Sequence, residues 1–477
     1  MNTIVYLVFG IGLAIISIVF VFTRKNQNFS AFNVADRKVG VFTGALSIAA
    51  TWTWAPAVLV SARQSYQQGF VGAFWFIAPN ILTLIIFSFF AKKLRDNAPN
   101  GYTLPSYMLG IHGRPVQNVY KSLMALLNPM CIAIQLIAGG RIVSFILGIP
   151  YVWCVLAITI IVLLYTIIGG LKGTILSDVV QIILVLGVII IIVPIALSKF
   201  YQLGGNIFDG IGGQSGVYYN LFNRDGLYIL LTYGITQSIG LLAGPWGDQI
   251  YWHRVYALRK EKVRTAFILG ALIFAIIPIS MAMLGFVGAS GEINGFWSIG
   301  DVSIVNFETL TYLLPLWATG FFAIILLCVI AGTMSSAMSS FATLINVDFL
   351  NFGISNLEND KKSLLVSRLS MVSVSAIAFA IAIIPRIDLL YFFLFYTVLR
   401  SSTLFATYYT IKTRKRNTKT IFIAILSALA IGAPIHGYGS VKGNFLFTLI
   451  GSIATVSIPL IVIVFYNKFF KIKQKEN

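Results

Sequence analysis

The sequence predicts an all-α protein that crosses a lipid bilayer about thirteen times. Three observations predict it: charge is scarce, apolar residues come in membrane-length runs, and basic residues gather in alternate loops. Only 10% of the 477 residues are charged and 58% are hydrophobic, and the mean hydropathy is +0.88. A soluble chain carries about 25% charged residues, so this chain lacks the charge to cover a water-facing surface. Its apolar runs reach about 20 residues, the helix length that spans about 30 Å of hydrocarbon. The alternating pattern of a membrane β-barrel is absent.

The runs fall at 4–23, 42–62, 70–91, 117–140, 149–168, 174–196, 227–247, 265–289, 316–340, 364–384, 387–409, 420–437 and 446–466. Glycine and proline interrupt several of them, which neighbouring helices tolerate in a bilayer. The first run has neither a basic segment before it nor a small-residue cleavage site after it, so it reads as a retained helix. Basic residues follow at Arg24, Lys25, Arg37 and Lys38, then at Lys92, Lys93, Arg95 and Arg114, then at Lys172. Further groups are Arg254, Arg259, Lys260, Lys262 and Arg264, the stretch from Lys412 to Lys419, and the tail from Lys468. An intervening loop instead carries Glu292, Asp301 and Glu308. This positive-inside pattern puts the N-terminus outside and the C-terminus in the cytoplasm of an inner (plasma) membrane. The net charge of +19 is therefore expected to face anionic lipid headgroups and not nucleic acid.

The whole chain, 1–477, reads as a single polytopic membrane domain, with its longest outer loop, 197–226, rich in glycine. No GxxxxGK[ST] segment offers an ATP site, which leaves a gradient-driven carrier or a channel. Cys131, Cys154 and Cys328 lie in apolar runs and read as packing residues. His112, His253 and His436 lie in or near loops, away from any nucleophile or metal-ligand spacing, so no enzyme is expected.

Two spans carry paired interruptions. One holds Ala49-Ala50-Thr51-Trp52-Thr53-Trp54-Ala55-Pro56, and five spans later another holds Gly240-Leu241-Leu242-Ala243-Gly244-Pro245-Trp246-Gly247. They are either two ordinary proline kinks or the broken first helices of two inverted repeats, 42–196 and 227–409. Unwound backbone there would offer carbonyls to a cation and amides to an anion.

Charge inside a bilayer is costly and usually functional. Asp178 opens its span near one end and reads as a headgroup-facing carboxylate, a sodium ligand or half of a gating ion pair. Arg400, deep in its span, and Arg141, near an outer end, could each grip a solute carboxylate in two-pronged fashion; Arg141 reads more readily as snorkelling to the interface, and a structural partner could instead satisfy Arg400. Gly332-Thr333-Met334-Ser335-Ser336-Ala337-Met338-Ser339-Ser340 is the densest hydroxyl cluster. Gly332, Ser335, Ser336 and Ser339 share a helix face, where hydroxyls could bind sodium or small residues could simply pack.

The segment Gly169-Gly170-Leu171-Lys172, continuing to Ser177-Asp178-Val179-Val180-Gln181, resembles the signature of the sodium:solute symporter family. Val34-Ala35-Asp36-Arg37-Lys38-Val39-Gly40, Tyr102-Thr103-Leu104-Pro105-Ser106-Tyr107 and Gly247-Asp248-Gln249 through Arg254 are similar to further segments of it, with Ser106 in place of an acid. The resemblance implies a leucine-transporter-type five-plus-five inverted repeat, with one extra helix before it (4–23) and two after it (420–437 and 446–466). It implies sodium as coupling ion and no other cofactor. Carried over, the ion would lie among Ala50, Thr53, Gly332, Ser335 and Ser336, and a second sodium would use Asp178, Ser335 and Ser339. A gapless alignment selects Ala331, Gly332 and Thr333 on that helix instead.

Ala50-Thr51-Trp52-Thr53-Trp54-Ala55 is most similar to the urea-transporter branch. Gly244 stands where the sugar branch has an aromatic gate. Trp52, Trp54, Gln68 and Arg141 are the expected solute contacts, for urea, an amino acid or an organic acid. The expected activity is sodium-coupled import by alternating access. The alternatives are proton coupling on the same fold and a non-transporting membrane sensor.

Overall fold

A computed structural model describes residues 29–351, 360–385 and 387–473; the expected first span, 4–23, lies outside them. Apart from one isolated backbone pairing, the regular secondary structure among the described residues is helical. A short helix α1 (Phe29–Val34) leads into α2 (Val41–Trp52), α3 (Ala55–Asn97), α4 (Leu104–His112), α5 (Arg114–Leu147) and α6 (Tyr151–Gln202). After a glycine-rich loop come α7 (Arg224–Ile229), α8 (Ile235–Gly247), α9 (Gln249–Ala257), α10 (Val263–Ile293), α11 (Val305–Leu313) and α12 (Leu316–Leu344). The remaining helices are α13 (Asp360–Ala382), α14 (Leu389–Ser401), α15 (Leu404–Thr413), α16 (Thr418–Ser427), α17 (Ala433–Lys442) and α18 (Phe445–Lys473).

Ten helices among the described residues are long and apolar enough to cross a membrane. Two of them exceed one crossing. The 43 residues of α3 and the 52 of α6 would reach about 65 and 78 Å at about 1.5 Å per residue, against about 30 Å of hydrocarbon. Loops expected from the sequence near 63–69 and 169–173 are instead bends inside these helices. Each bend sits on a glycine in the left-handed region, Gly69 (φ 55°) and Gly170 (φ 54°). Close approach forbids a side chain at both. A Cβ on Gly69 would stand 2.3 Å from Ile211 O, and one on Gly170 would stand 2.5 Å from the Phe32 ring. The glycine-rich loop after α6 is thus a packed wedge, with Ile211 O accepting Phe70 N at 2.7 Å and Gln214 N donating to Tyr66 O at 2.7 Å.

Two other interruptions unwind the chain fully. Between α2 and α3, Thr53 and Trp54 leave helical geometry. Trp54 N turns to Trp52 O at 3.0 Å, and Ala55 N is taken by the Gln135 side-chain oxygen at 2.9 Å. The two amides that would close on Ala50 and Thr51 in an unbroken helix are used elsewhere. This break precedes Pro56, whose missing amide costs nothing in a first helical turn. Between α8 and α9, Asp248 is extended (φ −121°, ψ 119°) and its carboxylate caps Ile250 N at 3.0 Å. That break comes after Pro245, so proline alone does not mark it. The two broken helices are tied beside their ends: Val39 N bonds Ala257 O at 3.2 Å and Arg259 N bonds Val39 O at 3.0 Å.

Packing places both breaks in the centre. Helices α2 and α3 lie against α10, α8 lies against α3 and α14, and α12 lies against α5, α6 and α2. One continuous apolar core links them.

Candidate functional site

Asp178 is fully buried, far from the headgroup setting that its sequence position allows. Its Oδ2 accepts Arg254 Nη2 at 3.0 Å, Ser47 Oγ at 2.6 Å and Thr51 Oγ1 at 3.4 Å. Arg254, which the sequence groups with loop cations, is 1% exposed and also donates to Ser336 Oγ. A buried carboxylate and guanidinium stand only when paired, so α9 and α6 are locked together through this contact. Asp178 Oδ1 has no hydrogen-bond partner among the described residues. It faces Gly332, where a Cβ would lie 3.3 Å from it and 2.9 Å from Gln181 Oε1.

The hydroxyl cluster of α12 divides by contact. Thr333 Oγ1 donates to Thr53 O at 3.3 Å, joining α12 to the first break. Ser336 Oγ lies 3.4 Å from Thr51 Oγ1 and donates to Gly332 O at 2.7 Å. Ser335 Oγ donates back to Gly332 O at 3.0 Å, and Ser339 Oγ lies 3.0 Å from Thr174 Oγ1. Ala50 is buried on α2, one turn from these groups. The direct bond to the break thus comes from Thr333, one of the three residues that the gapless alignment selects.

The expected solute contacts separate into two places. Trp52 and Trp54 line a small pocket of about 20 Å³ with Asn80, Leu241, Phe393 and Arg400. That volume holds about one water. Trp54 Nε1 donates to Tyr251 Oη at 3.1 Å, Trp52 Nε1 donates to Asn80 O at 3.2 Å, and Trp54 packs on Tyr396. Arg400 lies over the Tyr396 ring at 4.5 Å, and its Nη1 is 3.9 Å from Asp248 Oδ2, which also accepts the Tyr396 hydroxyl. Gly244 is required here, since a Cβ would meet the Trp52 ring at 2.8 Å and Arg400 Nη1 at 3.2 Å.

Gln68 and Arg141 do not line that pocket. Gln68 sits at the α3 bend and accepts Gln64 Nε2 at 3.1 Å. Arg141 donates to Ile387 O at 2.7 Å and lines an open cleft of about 590 Å³ with Arg63, Tyr151, Asp301 and Asp388. Asp248 and Gln135 are central polar residues to which sequence reasoning gave no role. Their signal was weak, because Asp248 borders a basic stretch and Gln135 is one amide in an apolar run. The three histidines are buried; His112 ends α4, and His253 and His436 lie within α9 and α17.

Membrane-length helices around two breaks, with polar groups held between them, are an architecture that secondary transporters use. The chain belongs to the sodium:solute symporter family, whose family model matches residues 32–428. It is 27% identical over 302 residues to the probable urea active transporter 1 of Schizosaccharomyces pombe, covering 60% of this chain and 46% of that protein. It is 25% identical over 278 residues to the urea-proton symporter DUR3 of Oryza sativa subsp. japonica, covering 53% of this chain and 38% of that protein. The chain therefore spans less than half the length of these two relatives. The fold is shared with a solved Na+-coupled sialic acid symporter in a substrate-bound outward-open state, at TM-score 0.74 and 16% identity over 97% of both chains. The relatives are named as transporters, and the chain is a helical membrane protein of this family with multiple membrane-length helices.

Proposed function

We propose that the chain is a sodium-coupled symporter that imports a small neutral polar solute by alternating access, with urea the first candidate. The small pocket beside the first break supports this most directly. Arg400 is already compensated by Asp248, so the pocket carries no spare positive charge for a carboxylate. Two indoles, the Asn80 amide and the Arg400 guanidinium suit a flat molecule with both donors and acceptors. Urea fits that description, and urea transport is named for two of the relatives. A volume of about 20 Å³ is too small for such a solute, so admission requires the lining helices to part.

The topology we favour is thirteen spans with the N-terminus outside, in two inverted repeats, 42–196 and 227–409, flanked by the peripheral helices 4–23, 420–437 and 446–466. Sodium would sit where the first break meets α12, among backbone oxygens of Ala50 and Thr53 and the Gly332, Ser335 and Ser336 region. Asp178 with Ser335 and Ser339 is the second cation position. Arg254 lies on Asp178 and Ser336 in this state, so cation arrival there is coupled to moving Arg254. Sodium drives the cycle only through its different affinity for the two states.

Proton coupling is the second reading. The buried Asp178 with its unpartnered Oδ1 supplies a protonatable group, and one relative is named a urea-proton symporter. Proteoliposomes separate the two. Urea uptake should follow an imposed inward sodium gradient at constant pH, and Ser335→Ala and Ser336→Ala should raise the sodium concentration it requires. Uptake driven by a pH gradient without sodium would replace sodium with the proton. Unchanged sodium dependence in both variants would reject the α12 hydroxyls as ligands.

A further inference from the structure

At the end of the bundle that carries Arg114, a groove of about 710 Å³ runs between α5 and α16. Its walls are apolar, formed by Val119, Leu123 and Leu126 on one side and Phe422, Leu426 and Leu429 on the other. Leu126 and Leu426 are 53% and 39% exposed, so the groove opens to the lipid side of a membrane protein. Arg114 to Leu126 spans about 18 Å at about 1.5 Å per residue, close to the ~15 Å of hydrocarbon in one leaflet.

The mouth of the groove is cationic. Arg114 begins α5, and Arg416 comes within reach of the same turn, its Nη2 4.0 Å from where a Gly113 Cβ would stand. Neither arginine forms an ion pair among the described residues. No Asp or Glu occurs between residues 97 and 177 or between 389 and 475, so both groove-lining helices are acid-free. The N-cap of α5 is Gly113, which offers no side-chain oxygen to the first amides, and a helix N-terminus favours an anion.

The mouth is also built in advance. Asn417 N donates to His112 Nδ1 at 3.1 Å, and Thr418 Oγ1 donates to His112 O at 2.7 Å. His112 Nε2 then donates to Thr410 Oγ1 at 2.9 Å. These bonds hold the loop bearing Arg416 against the end of α4, beside Arg114. Buried His112, with its pKa pushed down to about 4 by burial and then by Arg416, adds no charge of its own.

We propose that this groove binds one anionic phospholipid, its phosphate on Arg114 and Arg416 and an acyl chain along Leu123, Leu126, Phe422 and Leu426. Charge complementarity selects an anionic headgroup over a zwitterionic one, and the apolar walls require an attached chain. The site is independent of which solute or ion the protein carries.

Thermal unfolding of the full chain in mild detergent tests it. Phosphatidylglycerol should raise the midpoint by about twice the shift given by phosphatidylcholine of the same chains, and glycerol 3-phosphate should give none. The double variant Arg114→Gln/Arg416→Gln should unfold like the parent without lipid and lose the phosphatidylglycerol excess. Leu426→Trp, which obstructs the acyl-chain path along α16 and keeps both arginines, should lose it as well and serves alone if the double variant does not fold. Equal shifts from the two lipids in the parent would overturn the proposal. So would an excess that survives in the variants, or a shift from glycerol 3-phosphate matching that of the lipid.

Discussion

Removing either member of the Asp178–Arg254 pair leaves the other as an unpaired charge in the interior, at a cost of about 3–5 kcal/mol. Asp178→Asn and Arg254→Gln are each expected to lower the unfolding temperature sharply. The double variant is expected to recover most of the loss, because neither charge remains to be compensated. A double-mutant cycle on thermal stability measures the coupling; additive losses would show that the two groups do not interact. Its functional counterpart is transport, where the double variant should fold yet respond differently to the driving ion. At Gly244, Gly244→Phe should abolish uptake while leaving a folded protein only if Trp52 and Arg400 can shift, since a side chain there meets both.

The helix breaks rest on individual polar contacts that can be removed one at a time. Gln135 alone receives Ala55 N at the start of α3, so Gln135→Leu should cost about 1–3 kcal/mol through a buried unsatisfied amide. Gln135→Met keeps the side chain's length without the acceptor and should cost as much; a small loss there would argue that packing and not the hydrogen bond matters. Gly69→Ala combines a left-handed φ of 55° with a 2.3 Å approach to Ile211 O and should cost about 1–3 kcal/mol or more. The α4–α16 tie carries a pH signature. His112 titrates at about 4 when folded, below its ordinary 6.5, so folding favours its neutral form. Its contribution is full above about pH 6.5 and is lost as pH falls through about 4. Unfolding followed from pH 7 to 4 should show this loss in the parent and a shallower slope in His112→Asn.

Across the whole molecule the basic loops should share one side of the membrane. Cys131, Cys154 and Cys328 are buried, so background labelling of the parent should be low. Lys415→Cys in right-side-out vesicles should resist an impermeant maleimide, whereas Asp301→Cys should react; the reverse would invert the orientation. For the transport cycle as a whole, a screen of urea, amino acids, sialic acid and sugars should show stabilisation by urea only with sodium present. Stabilisation by a carboxylate would overturn the neutral-pocket argument from Arg400 and Asp248.

The sequence by itself determined the membrane class, the positions of most spans and the family, because hydropathy, loop charge and short motifs are local properties. It also located both broken helices and the hydroxyl-bearing helix, since small and polar residues inside apolar runs are conspicuous. The tertiary structure decided the rest. Arg254 reads as one more loop cation until α9 folds back and sets it on Asp178. Gln68 and Arg141 stand apart from Trp52 and Trp54 because α3 and α5 carry them some turns away from the breaks. Whether Thr333, Ser335 or Ser336 meets the broken backbone depends on how α12 is rotated against α2. The loops near 63–69 and 169–173 become bends because glycine lets Ile211 and Phe32 approach closely. Such partners are distant in sequence, and only packing brings a charge to its counter-charge or a ring to its glycine.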